Sequence, residues 1–168
     1  MSRWRAPVEK SSPYITREGH ARLKAEFEQL WRVRRPEVVR ALAAAAAEGD
    51  RSENAEYIYR KKELREIDAR LKYLTLRLEK LKVVVAPPVA DGRVYFGAWV
   101  EVADSEDQRK TWRIVGADEI DTAQGCISMD APVARALLGK KTGEVVQVQL
   151  PAGETELELM RVWYTAVP

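Results

Sequence analysis

The chain has 168 residues, room for one domain or two small ones. Hydrophobic residues make up 46% of it and charged residues 32%, a charge load that suits long helices with one face in water. The formal net charge is only +2, so any basic footprint for nucleic acid has to be local, and no run approaches the roughly 20 apolar residues of a membrane span.

The first stretch, residues 1–14, carries Arg3, Arg5 and Lys10 but no apolar core of the kind a secretory signal needs, and reads as a flexible basic tail. Cys126 is the one cysteine, which rules out an intramolecular disulfide, suits a reducing compartment and points to a soluble, cytoplasmic protein. Its thiol reads as a small buried apolar side chain.

A helix is expected from Thr16, a good N-cap with Glu18 in the first turn, where negative charge suits the dipole. Leu23, Phe27, Leu30, Val38 and Leu42 follow on a drifting apolar stripe. Pro36 lacks an N–H and crowds the preceding turn, so it should kink this helix or shift its register. Ala41 and Ala43 to Ala47 restore helix propensity, and Gly49 fits the position just past the helix end. His20 sits near the start of this helix, where a metal or acid–base role is not expected.

From Asp50 to Ala86 there is no Gly or Pro. Leu64, Ile67, Leu71, Leu74, Leu78 and Leu81 alternate spacings of three and four, a seam with charged residues between its members. Thirty such residues make a rod of about 45 Å. Two amphipathic helices joined by a few residues bury their stripes by packing antiparallel. Residues 15–84 are therefore expected to form a projecting coiled-coil hairpin with its tip at Glu48 to Glu53.

Pro87-Pro88 and Asp91-Gly92 mark residues 85–92 as a linker. Beyond it the period becomes two. Strands are expected over Val94–Val102, Arg109–Val115, Cys126–Met129, Val145–Leu150 and Glu156–Tyr164, with one short helix over Pro132–Leu138. Residues 93–168 thus read as a small α+β domain, and the whole chain as α+β.

The tip, Gly49-Asp50-Arg51-Ser52-Glu53-Asn54-Ala55-Glu56-Tyr57, places acidic groups at the exposed end of the hairpin. Carboxylate oxygens are hard ligands that suit Mg²⁺, which is often held by one or two protein carboxylates with waters and phosphates completing its shell. The same Asp50-x-x-Glu53 spacing also fits a capping box, and judged from spacing alone the capping role is the stronger reading. A bare hairpin, however, needs no acidic cluster at its tip.

This tip motif resembles that of the GreA/GreB family of transcript-cleavage factors. Ile15-Thr16-Arg17-Glu18-Gly19, Arg65-Glu66-Ile67-Asp68, Phe96-Gly97-Ala98-Trp99-Val100 and Ser128 to Leu138 resemble further family signatures, in the right order over most of the chain. Leu30-Trp31-Arg32, Arg35-Pro36-Glu37-Val38 and Trp99 are most similar to the GreB pattern. The resemblance implies an FKBP-like fold for the C-terminal domain and a monomeric factor that is not itself an enzyme. It implies entry of the hairpin into the secondary channel of bacterial RNA polymerase. There Asp50 and Glu53 would help hold a Mg²⁺ shared with the polymerase active site, for cleavage of the backtracked RNA 3′ end.

By matching position, Asp130 and Pro132 would dock on the polymerase rim, although capping of the short helix by Asp130, with Pro132 in its first turn, fits those residues as well. Arg51, Arg60, Lys61, Lys62 and Arg65 are candidates for RNA contact through charge, against the reading of an ordinary solvated face. Tyr57 and Tyr59 can stack on a base, though Tyr57 sits on the seam. Glu56 reads as a solvated helix residue. The rival readings are a same-fold channel inhibitor, a self-sufficient nuclease, a proline isomerase and a purely structural adaptor.

Overall fold

A computed structural model describes residues 11–50, 53–85 and 91–164. The chain divides into two compact units, one formed by His20–Leu81 and the other by Met1–Gly19 together with Lys82–Pro168.

The first unit is the helical hairpin. Helix α1 (Arg17–Gln29) runs through a π-helical turn, Leu30–Arg34, into α2 (Arg35–Ala47), and α3 (Ala55–Lys80) returns. The π turn is the local answer to Pro36. Proline offers no N–H to the carbonyl four residues back and its ring crowds that turn, so the helix takes in one extra residue, with the Arg35 N–H bonding to Leu30 O. Pro36 then occupies the first turn of α2. The expected seam packs over its first part, while Leu78 and Leu81 are only half-buried: Ile67 and Leu71 bury against Val38, with Phe27, Leu30 and Leu64 closing the cluster. Leu74 is fully buried as well. Side chains of Arg35 and Asp68 (2.7 Å) and of Arg70 and Glu26 (2.6 Å) cross between the two arms beside this seam. Such half-exposed pairs contribute at most about 1 kcal/mol each, so apolar burial carries the hairpin and the charges fix its register.

The second unit holds a short parallel pair, β1 (Tyr14–Thr16) with β2 (Lys82–Val84), and a five-stranded sheet. The sheet consists of β3 (Trp99–Ala103), β4 (Arg109–Val115), β5 (Cys126–Ser128), β6 (Val145–Leu150) and β7 (Gly153–Trp163), in the order β5-β4-β3-β7-β6. Only the β4–β5 pair is parallel within it. Alternate residues Val100, Val102, Ile114, Val146, Val148, Leu157 and Leu159 bury one face beneath Ala134 and Leu137 of α4 (Pro132–Leu137). The result is the α+β class expected, a helical hairpin with a strand-rich domain.

Several boundaries differ from those expected. The hairpin unit ends at His20 and Leu81, not at 15 and 84, because Tyr14–Thr16 and Lys82–Val84 are extended and pair with each other. A three-residue strand is too short to show a period, and Val83-Val84 reads equally well as the tail of a helix. Ser12 to Tyr14 are bonded rather than loose: the Lys82 N–H donates to Pro13 O at 2.7 Å. Residues 1–10 of the expected tail and 86–90 of the expected linker lie outside the described residues. The first sheet strand starts at Trp99 rather than Val94, since Gly97 (φ 85°) turns the chain, although Val94 is still pinned through its N–H to Lys140 O at 2.9 Å. Cys126 is half-buried, not buried, on the edge strand β5.

A buried carboxylate organises the place where α1 begins. Glu119 is 5% exposed and accepts the N–H of Thr16 (3.0 Å), the N–H of Gly116 (2.9 Å) and the Thr16 hydroxyl. Thr16 Oγ1 in turn accepts the Gly19 N–H at 3.0 Å, which makes it the N-cap expected from sequence. A Cβ at Gly19 would collide with the Glu119 carboxylate, and one at Gly116 with the Tyr14 carbonyl. Both glycines are therefore there for close approach. Glu18, beside this cap, has its carboxyl held below the usual range by its own backbone N–H, with Thr16, Arg113 and Arg17 adding to the effect against partial burial.

Candidate functional site

The site is built on the turn between α2 and α3. Helix α2 stops at Ala47; Glu48 closes it with its N–H on Ala45 O at 3.2 Å, and Gly49 follows at φ 140°, a region open in practice to glycine. Asp50 and Glu53 are exposed. Asn54 then caps α3: its Oδ1 accepts the Tyr57 N–H at 3.1 Å, while its Nδ2 donates to Ala45 O at 2.7 Å. One amide thus satisfies an orphan donor at the start of α3 and adds a second hydrogen bond to the Ala45 carbonyl, which already accepts the Glu48 N–H, tying the end of α2 to the start of α3.

Asn54 was not among the residues expected to matter, and it corrects one expectation. Asp50 and Glu53 do not form a capping box, because α3 begins at Ala55 and both acids precede its cap. An aspartate in the cap position has no donor for the Ala45 carbonyl, whereas asparagine supplies acceptor and donor together. The signal was present in the sequence, a good cap residue immediately before Ala55-Glu56-Tyr57. Arg51 lies outside the described residues.

Beyond the cap, the basic candidates divide. Arg60 is occupied: its Nε donates to Glu56 at 2.7 Å and its Nη1 to Glu63 at 3.0 Å, with the guanidinium 5.4 Å from the Tyr59 ring. Glu63 also takes Arg34 of the opposite arm. Partial burial pushes the Glu63 carboxyl up, but the two guanidiniums outweigh it and hold it below the usual carboxylate range. Glu56 is thus an ion-pair partner rather than merely solvated. Lys61 stands 5.8 Å from the Tyr57 ring, Lys62 reaches Glu66 at 4.0 Å, and Arg65 is exposed. Tyr57 is half-buried, as a seam residue should be, whereas Tyr59 is 58% exposed.

Among the described residues, no group of three or more His, Cys, Asp or Glu side chains could hold a metal by itself. Two exposed carboxylates are hard oxygen donors of the type Mg²⁺ takes alongside water and phosphate.

The second candidate site is the loop before α4. Ser128 Oγ accepts the Asp130 N–H at 3.1 Å and Ser128 O accepts the Ala131 N–H at 2.9 Å. Pro132 opens α4 at its first position, exposed, as expected. Asp130 does not cap that helix. Ala131 holds the cap position without a side-chain bond, and the Asp130 carboxylate turns instead to Ser12.

The chain is thus a helical hairpin with an acidic tip, joined to a five-stranded α+β unit. Residues 13–83 match the family described as "Transcription elongation factor, N-terminal", and residues 89–164 match "Transcription elongation factor, GreA/GreB, C-term". The chain belongs to the GreA/GreB family of transcription elongation factors. It is 58% identical over 168 residues to the transcription elongation factor GreB of Xanthomonas axonopodis pv. citri, covering 99% of this chain and 100% of that protein. It is 52% identical to GreB of Pseudomonas aeruginosa, over 100% of both. Among solved structures it is similar to GreA factor homolog 1 (Gfh1) of Thermus thermophilus, at 24% identity and TM-score 0.40, covering 89% of this chain and 97% of that one. Among the described residues, no helix is long and apolar enough to cross a membrane.

Proposed function

We propose that this chain is a cytoplasmic, monomeric cleavage factor that enters the secondary channel of bacterial RNA polymerase and stimulates removal of the 3′ end of backtracked RNA. The observation that carries this reading is the tip itself. Asp50 and Glu53 are exposed at the end of the hairpin, and the N-cap of α3 is Asn54 rather than either acid. Family membership supports it.

In this reading Asp50 and Glu53 hold a Mg²⁺ together with groups of the polymerase, and the cutting is done by the polymerase's own active site. An ion so held lowers the pKa of water and offsets charge on the phosphodiester. The chain's own residues then do three things. The two carboxylates orient the hydrated ion, Asn54 keeps the turn in one shape, and Lys61, Lys62 and Arg65 face the RNA backbone, with Arg51 beside the acids as a further phosphate contact. Arg60 is assigned to bracing α3 rather than to RNA, because Glu56 and Glu63 already engage it. Asp130 and Pro132 dock on the rim of the channel.

The test is RNA length in a stalled, backtracked bacterial elongation complex in Mg²⁺, with and without the chain. Rapid loss of a short 3′ fragment is expected. No shortening despite binding would favour a channel inhibitor instead, and shortening of RNA without polymerase would favour a nuclease.

A further inference from the structure

The segment before β1 is tied to the loop before α4, 118 residues away. Ser12 donates its N–H to Asp130 Oδ2 at 2.8 Å and its hydroxyl to Oδ1 at 2.5 Å. The segment is held on its other side as well: Pro13 O accepts the Lys82 N–H at 2.7 Å, and the Tyr14 ring lies 6.3 Å from that of Phe96. Both oxygens of Asp130 are thereby oriented, while the side chain stays half-exposed and each oxygen keeps a second lone-pair direction. An oriented acceptor of this kind suits a partner surface that presents cationic or N–H donors.

We propose that Ser12 is a positioning residue for polymerase docking, holding the Asp130 carboxylate in the orientation in which it meets a donor-bearing surface of the polymerase. The inference rests on the docking reading of Asp130 and Pro132 given above. The physical gain is pre-organisation: a carboxylate already fixed loses less side-chain freedom on binding than a rotating one.

The test is binding of the full chain to bacterial RNA polymerase, followed by fluorescence anisotropy, with maximal RNA-cleavage rate and melting temperature read alongside. Ser12→Ala should raise Kd by about threefold to tenfold, the cost of ordering one side chain on binding. Maximal cleavage rate should stay unchanged, melting temperature should fall by no more than a few degrees, and Ser12→Thr should restore binding. Asp130→Ala should weaken binding at least as much, and the double variant should bind no worse than Asp130→Ala alone. Wild-type binding by Ser12→Ala beside weakened Asp130→Ala would overturn the positioning role and leave the docking reading standing. Wild-type binding by Asp130→Ala would remove the docking reading and this inference with it. Tighter binding by Ser12→Ala would overturn it in favour of Ser12 masking Asp130.

Discussion

Glu119 and the tip pair Asp50 and Glu53 are the same functional group in opposite surroundings. Glu119 is 5% exposed and accepts three hydrogen bonds from Thr16 and Gly116, so its oxygens are spent on holding the chain at the start of α1. Asp50 and Glu53 are exposed on a turn closed by the amide of Asn54. The contrast teaches how to sort carboxylates. A buried acid that takes donors from two separate segments is architecture, whereas exposed acids that do not hold the cap position are candidates for ligand work.

The comparison breaks first at the tip. Asp50→Asn or Glu53→Gln should reduce stimulated cleavage by about 100-fold or more, because each removes a charged ligand from a shell in which the protein supplies few. Polymerase binding and the melting curve should be unaffected. A variant that loses cleavage only by losing binding would place these acids in docking, not chemistry.

Next in size is Glu119→Ala, which strands two buried N–H groups and a hydroxyl. It should cost about 2–4 kcal/mol of stability in denaturant unfolding. Little change would mean that water replaces the carboxylate, and the sorting rule would lose its structural half. Asn54→Ala should cost about 1–2 kcal/mol and speed amide exchange at Tyr57. Asn54→Asp sharpens the point, since it keeps the acceptor for Tyr57 but loses the donor to Ala45 O, and should loosen the turn while leaving the cap in place.

The smallest effect is in pH. Glu63 has a lowered pKa in the folded chain, so its contribution is complete above the ordinary carboxylate range and fades as pH falls through the lowered value. Glu63→Gln should flatten the acid side of the hairpin's stability profile over that window. An unchanged profile would assign the acid sensitivity to other pairs.

Much of this was legible in the sequence, for a physical reason. The seam Leu64–Ile67–Leu71–Leu74 repeats over many turns, and Pro36 disrupts a helix whatever surrounds it; both effects are local and cumulative. The strands Arg109–Val115 and Val145–Leu150 likewise announce themselves by alternation. What stayed hidden depends on partners distant in the chain. The β1–β2 pair joins residues 14–16 to 82–84, Glu119 reaches Thr16, and Ser12 meets Asp130, none of which leaves a periodic mark. At the tip, the Asp50-x-x-Glu53 spacing pointed to a capping box with Asp50 as cap, while the true cap, Asn54, stood four residues further on. The second job of Asn54, reaching across to Ala45 O, needs the folded hairpin before it can be seen.

The central claim is that the tip acids act as metal ligands, and the most direct measurement is the magnesium dependence of stimulated cleavage. Cleavage rate would be titrated with Mg²⁺ in backtracked complexes saturated with the wild-type chain or with Asp50→Asn. A ligand role predicts that the variant needs a markedly higher Mg²⁺ concentration and recovers part of its activity there. Full cleavage by the variant at the wild-type Mg²⁺ requirement would contradict it.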